Sequence, residues 1–221
     1  MITITTMATF ITTAIGMTDA LTLPRLLRLL TWASPSFPTG AFSYSHGLEF
    51  AVEDGHVKNA AQLQDWVGWI VRHGALFADA VFFAHAHRSA GAGDDAALDA
   101  VAELAAAMRG TAETALESAQ QGASFFATAQ AVWPHPRLVA FAAGLARRNG
   151  AKPSLPIAVA LLCAGAIPLE AALGAYLHAA SASLISAGVR LIPLGQTDGQ
   201  RSIAALEGAV TAAAARAAET A

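Results

Sequence analysis

From Leu23 onward the apolar residues recur three and four positions apart, and no stretch alternates with period two for long enough to make a core strand. That periodicity excludes sheet-based folds and predicts an all-α, single-domain bundle of about eight to ten helices. Composition points the same way. The chain is 55% hydrophobic and only 13% charged, and much of the apolar share is alanine, which loses no side-chain entropy on entering a helix.

Glycine, proline and capping residues mark the expected helix ends. Leu23, Leu26, Leu27 and Leu30 lie on one face of a first helix, with Arg25 and Arg28 opposite, ending near Ala33. The segment SPSFPTGAFSYS then forms a loop of about twelve residues, a length that in a compact domain usually serves function or stays disordered. A short helix from His46 to Glu53 stops at Gly55. Asn59 caps the next helix, with Gln62 placed to complete a capping box and Leu63, Trp66, Val67 and Ile70 on one stripe. Gly74 weakens that run, and a second stretch from Ala78 to Arg88 carries Val81, Phe82 and Phe83.

Asp94 or Asp95 caps an alanine-rich helix over 95–108, and another covers 111–131 before the Trp133-Pro134-His135-Pro136 turn. Pro136 opens a helix that runs to Asn149 and ends at Gly150. Helices over 155–166 and 168–187 follow, then the extended break IPLGQ. Thr197, with Gln200 three residues on, predicts a cap for a last helix running towards Ala221.

Residues 1–17 are apolar and threonine-rich, with no basic residue before Arg25, unlike a secretory signal. They read as a disordered or mis-assigned extension with Met17 as a candidate start, and 18–221 as the all-helical domain. The stretch 153–189 is nearly uncharged, but Pro168 and Glu170 interrupt it, which predicts two buried helices rather than a membrane span.

Signs of catalysis are missing from the sequence. There is no GxxxxGK phosphate loop, no GxSxG elbow and no HExxH helix. Cys163 stands alone and reads as a buried small hydrophobe. A net charge of −3 argues against a nucleic-acid surface, and Arg147-Arg148 fits a helix C-terminus. Ser45 and His46 read as a cap and a surface polar residue. His85 and His87 point to nearly opposite sides of a helix, while Asp79, Phe83 and His87 share a row without completing a metal site. The expectation is therefore no catalytic residue and no metal ligand.

Two segments exceed what turn chemistry asks for, Trp32–Asp54 and Ala187–Ile203. Tyr44, Glu49, Arg190 and Gln196 lie in and around loops, where binding residues concentrate, so both segments are candidate interaction surfaces. The alternative is an all-helical carrier of an apolar ligand lined by Phe82, Phe83, Phe125 and Phe126.

Both segments resemble signatures of the urease accessory protein F (UreF) family. The first, a pattern like L-x-S-x-x-x-P-x-G-x-F/Y-S-x-S-x-G-L-E-x-A-V, is met over Leu30–Val52, through Ser34, Pro38, Phe42, Ser43, Ser45, Gly47 and Glu49. The second, G-V-R/K-L-x-P-L/F-G-Q-x-x-x-Q, is matched from Gly188 through Arg190 and Gln196 to Gln200. Weaker similarity at Asp79, Glu113-Thr114 and Gly122 extends the resemblance from about Leu26 to Leu206. Two departures stand out. Ala112, Ala115 and Gln121 dilute the charge usual around Glu113, and the family's tail with its His-Glu-Thr-x-Tyr motif is absent before Ala221, so no role of that tail carries over.

The resemblance implies an all-helical, homodimeric, cytoplasmic chaperone for nickel insertion into urease. It implies a scaffold between accessory protein D on apo-urease and the GTPase accessory protein G, with nickel and GTP handled by those partners. No tightly bound cofactor, nucleic acid or membrane is expected. Phe42, Ser43, Tyr44, Ser45, Gly47, Glu49, Arg190, Gln196 and Gln200 are the expected partner-binding residues. For Arg190, a salt bridge and a GTPase-activating finger both remain open.

Overall fold

The computed structural model describes residues 21–41, 44–147 and 151–220, so the expected extension over 1–17 lies outside the described residues. Among those described there are eleven α-helices and no strand. They are α1 (Leu23–Trp32), α2 (Leu48–Glu53), α3 (Ala60–His73), α4 (Ala75–Ala92), α5 (Asp95–Ala107) and α6 (Ala112–Val132), followed by α7 (Pro136–Arg147), α8 (Leu155–Cys163), α9 (Leu169–Leu191), α10 (Gln196–Ala205) and α11 (Glu207–Glu219). The all-α reading holds.

The caps show why the helices begin where they do. Asn59 Oδ1 accepts from the Gln62 amide at 3.0 Å, while the Gln62 side chain reaches the Lys58 amide rather than that of Asn59. Thr111 and Thr114 cap α6 reciprocally, each hydroxyl accepting from the other residue's amide. Gly74 separates α3 from α4, which starts at Ala75, three residues ahead of the predicted start.

The C-terminal run differs from expectation. Thr197 is not the cap. The cap is Gly195 and the helix begins at Gln196, two residues earlier than a Thr197 cap would place it, because the Asp198 carboxylate accepts the Gly195 amide at 3.4 Å and places negative charge at the helix N-terminus. The predicted single helix also breaks at the buried Leu206, whose amide bonds back to Ile203 O, and this accounts for the eleventh segment.

Helix α4 forms the centre of the bundle, packed against α3, α5, α8, α9 and α11, with Ala80, Phe83, Ala84 and Ala86 fully buried. Helix α8 is buried along most of its length. It meets α6 so closely that a Cβ on Gly122 would stand 2.1 Å from Pro153 O, so only glycine fits there. Helix α11 closes the far side over α3 and α4. The Arg88 guanidinium donates to Ala218 O and Thr220 O, Arg216 donates to Arg72 O at 3.2 Å, and Arg216 lies 4.3 Å above the Phe77 ring.

The predicted stretch 153–189 divides into the nine-residue α8 and the longer α9. By length and composition alone α9 and the run Ala60–Ala92 could cross a membrane, yet half of each apolar window is buried against other helices. In α1 the predicted leucine face is not the face that packs inward. Leu23, Leu27 and Leu30 are 66%, 56% and 59% exposed, whereas Leu29 and Trp32 are buried. The larger indole decides the rotation, because Trp32 meets Trp133 edge-on with ring centroids 5.8 Å apart.

Candidate functional site

The proline- and glycine-punctuated loop after α1 is pinned by one aromatic side chain. Phe37 is buried, with its ring centroid 4.6 Å from that of Phe125 on α6. Short turns hold the loop around it, with the Phe37 amide donating to Ser34 O and the Thr39 amide to Phe37 O. Between this loop, α6 and α9 lies a cleft of about 450 Å³ open to solvent, with apolar walls from Leu29, Phe125, Val159 and Leu184.

Its floor is charged. Arg109, between α5 and α6, places Nη2 2.7 Å from Asp79 Oδ1, and the Tyr176 hydroxyl donates to Asp79 Oδ2 at 3.0 Å. Beside this pair, His46 Nε2 lies 3.3 Å from Glu117 Oε1, which also accepts from Gln121 Nε2 at 3.0 Å. Burial raises the Asp79 carboxyl above its ordinary range, against the pull of Arg109 and Tyr176. Glu117 is raised for the same reason, opposed by His46 and Gln121 and reinforced by the nearby Asp79 charge. Burial likewise drives the Tyr176 hydroxyl well above its usual value.

Ion pairs and hydrogen bonds link these groups across the helices, an arrangement suited to holding α4, α6 and α9 in fixed register. Arg109, Glu117 and Tyr176 escaped the sequence reading. A signal was present: Glu117 and Gln121 are spaced i, i+4 in an otherwise alanine-rich helix. Gln121, read from the sequence as diluting charge, is the residue that holds Glu117 in place. His46 is more than a surface polar residue, since its imidazole reaches Glu117 instead of Ser45.

The two signature segments, far apart in sequence, converge at the surface. Tyr44, Ser45 and Glu49 line a slot of about 50 Å³ with Ala187, Arg190 and Leu191. Helix α9 runs four residues past its predicted end, which carries Arg190 into its last turn and up to the slot. There Arg190 Nη1 donates to Ser186 Oγ at 3.2 Å. The Tyr44 hydroxyl donates to Gln120 Oε1 at 2.8 Å, tying the loop to α6. Gly47 caps α2 in the left-handed region, at φ 78°. Gln196 and Gln200 are exposed on α10 and do not line the slot. Phe42 and Ser43 lie outside the described residues.

The other candidates fall elsewhere. Phe82, Phe83 and Phe126 are buried in the core and only Phe125 borders the cleft, so the four phenylalanines do not enclose one ligand chamber. His87 Nε2 lies 2.9 Å from Ile167 O, and Asp79 turns to Arg109 and Tyr176 instead of towards that histidine. Among the described residues no three His, Cys, Asp or Glu side chains are grouped to hold a metal ion. Cys163 is fully buried, and burial pushes its thiol up to about 12.

Comparison with known proteins decides the family. A family model described as UreF matches residues 57–220, which covers Arg190, the cleft floor apart from His46, and most of the bundle. The chain belongs to the UreF family. It is 53% identical over 193 residues to a urease accessory protein UreF from Rhodopseudomonas palustris (strain HaA2), covering 87% of this chain and 80% of the relative. It is 50% identical over 182 residues to a urease accessory protein UreF from Granulibacter bethesdensis, covering 82% and 75% of the two chains. A Bradyrhizobium sp. (strain BTAi1) relative of the same name is 47% identical over 195 residues, 88% and 79% of the two. UreF membership makes the chain a urease accessory protein, with a role in urease maturation.

Proposed function

We propose that this UreF chain acts as a non-catalytic scaffold that bridges accessory protein D on apo-urease and the GTPase accessory protein G during nickel insertion. It works as a cytoplasmic homodimer and leaves nickel and GTP to its partners. The reading rests above all on the slot where Tyr44, Ser45 and Glu49 meet Arg190. An aromatic residue with a polar tip beside a guanidinium is the kind of anchor pair that protein interfaces favour. Gly47 shapes the turn, Phe42 and Ser43 adjoin it in sequence, and Gln196 and Gln200 extend the surface along α10.

The test is capture of the protein D–apo-urease complex and of protein G by purified chain. Tyr44→Ala and Arg190→Ala are each expected to weaken capture of one partner by about tenfold or more, as for an interface anchor. Tyr44→Phe separates ring contact from the Gln120 hydrogen bond. Intact capture by both alanine variants would remove the slot from the interface. Loss of nickel from urease in cells lacking the gene, restored by this chain, tests the role itself. The GTPase rate of protein G with Arg190→Lys tests the finger role, which predicts a fall in rate with binding preserved.

A further inference from the structure

Among the described residues His46 is the only non-glycine at positive φ, 50°, a conformation that costs an L-residue backbone energy. It is followed by Gly47 at φ 78°, so the chain makes two successive left-handed steps before entering α2. Nothing in the sequence requires the first of those residues to be histidine for the turn's sake, since glycine or asparagine adopts that region at less cost. The imidazole supplies a contact that glycine lacks, because Nε2 stands 3.3 Å from Glu117 Oε1. Glu117 is itself a firm anchor, buried on α6 and held by Gln121 at 3.0 Å.

The turn between Tyr44 and Glu49 is thus fixed from within. Leu48 is fully buried, and its amide donates to Ser45 O at 3.0 Å. His46 reaches inward to the cleft floor, where Asp79 and Arg109 also face Glu117, while Tyr44, Ser45 and Glu49 face the slot. We infer that His46 is a positioning residue: its contact with Glu117 holds the strained 44–49 turn in the shape that presents the slot. That this shape sets partner affinity rests on the reading of the slot as an interface; the latch itself does not.

His46→Gly removes the imidazole and the steric cost of the left-handed backbone while adding chain freedom, so it is read beside a variant that keeps a side chain. His46→Asn tolerates the same φ, adds no glycine-like freedom and is too short to reach Glu117, so it isolates the loss of the contact. His46→Gln restores a donor of similar reach. The first readout is hydrogen–deuterium exchange at the Tyr44 and Leu48 amides of the isolated chain, with thermal unfolding recorded alongside. The second is capture of the protein D–apo-urease complex. The glycine and asparagine variants are expected to exchange at least about tenfold faster at those two amides with the global melting midpoint little changed, and the glutamine variant to return towards the parent rate. Unchanged exchange in both short variants overturns the latch, whatever capture does. Faster exchange with weakened capture supports the latch and the interface together. Faster exchange with normal capture supports the latch and removes the turn from the interface.

Discussion

Arg109 and Asp79 meet at 2.7 Å inside the bundle, one carried between α5 and α6 and the other on the central helix α4. Both side chains are nearly excluded from water, so neither charge has a cheap alternative partner. Arg109→Ala would leave the buried Asp79 carboxylate with the Tyr176 hydroxyl and the more distant His46 in place of a guanidinium. The expected loss is about 3–5 kcal/mol in urea unfolding. Replacing both charges, as in Asp79→Leu with Arg109→Met, is expected to cost far less than the single change, because it removes the desolvated charge together with its partner. Equal losses in the two variants would show that the pair contributes by shape alone.

His87 gives stability a pH dependence of definite sign. Burial lowers its pKa below the ordinary 6.5, while the Nε2–H donates to Ile167 O in the neutral ring. A depressed folded value means that the unfolded chain takes up the proton first. Stability from this group is therefore complete above 6.5 and lost as pH falls towards the folded value, at a slope of at most about 1.4 kcal/mol per pH unit. His87→Gln keeps a donor for the carbonyl and cannot titrate. Its unfolding free energy is expected to be flatter than the parent's across that window.

Two glycines of equal sequence character should behave oppositely. A Cβ at Gly122 would meet Pro153 O at 2.1 Å and the Ser154 carbonyl carbon at 2.6 Å, both backbone atoms that cannot step aside. Gly122→Ala is expected to destabilise by about 1–3 kcal/mol or more by forcing α6 away from α8. At Gly174 in α9 a Cβ meets nothing within 4 Å. Gly174→Ala is expected to stabilise by about 0.5–1 kcal/mol through helix propensity. Chemical denaturation of the two variants side by side checks the contrast.

How much of this was legible beforehand depended on whether the deciding interaction was local. Asn59, Asp94 and Gly74 act within a few residues of themselves, and the helix boundaries they predict are observed, with α4 beginning three residues early. The rotation of α1 was not legible, because it is set by Trp133, about a hundred positions away. The cleft floor was hidden for the same reason. Asp79, Arg109, Glu117 and Tyr176 come from separate segments, and one sequence gives no pairing between them. The meeting of Tyr44 with Arg190 was suggested only as two separate loops of unusual composition; their shared slot depends on α9 running on to Leu191.

Cys163 should be silent towards thiol reagents in the folded protein. It is fully buried on α8, and its thiol is pushed up to about 12, so little thiolate forms and none is reachable. Colorimetric titration is expected to show no reactive thiol in native buffer and one after denaturation. Rapid native labelling would mean that α8 opens on the time scale of the assay.

The position of α11 also sets an order of events in the cell. This helix, with Ala213 and Ala217 packed inside and its arginine contacts to Arg72 O and Phe77, covers faces of α3 and α4 that were made more than a hundred residues earlier. A ribosome delivers residues in sequence, so those faces are exposed first and covered last. Until Glu219 has left the exit tunnel, a nascent chain carries α3 and α4 with part of their apolar surface bare. The core closes only once α11 has emerged, and through that interval the half-made bundle is open to premature association with its neighbours.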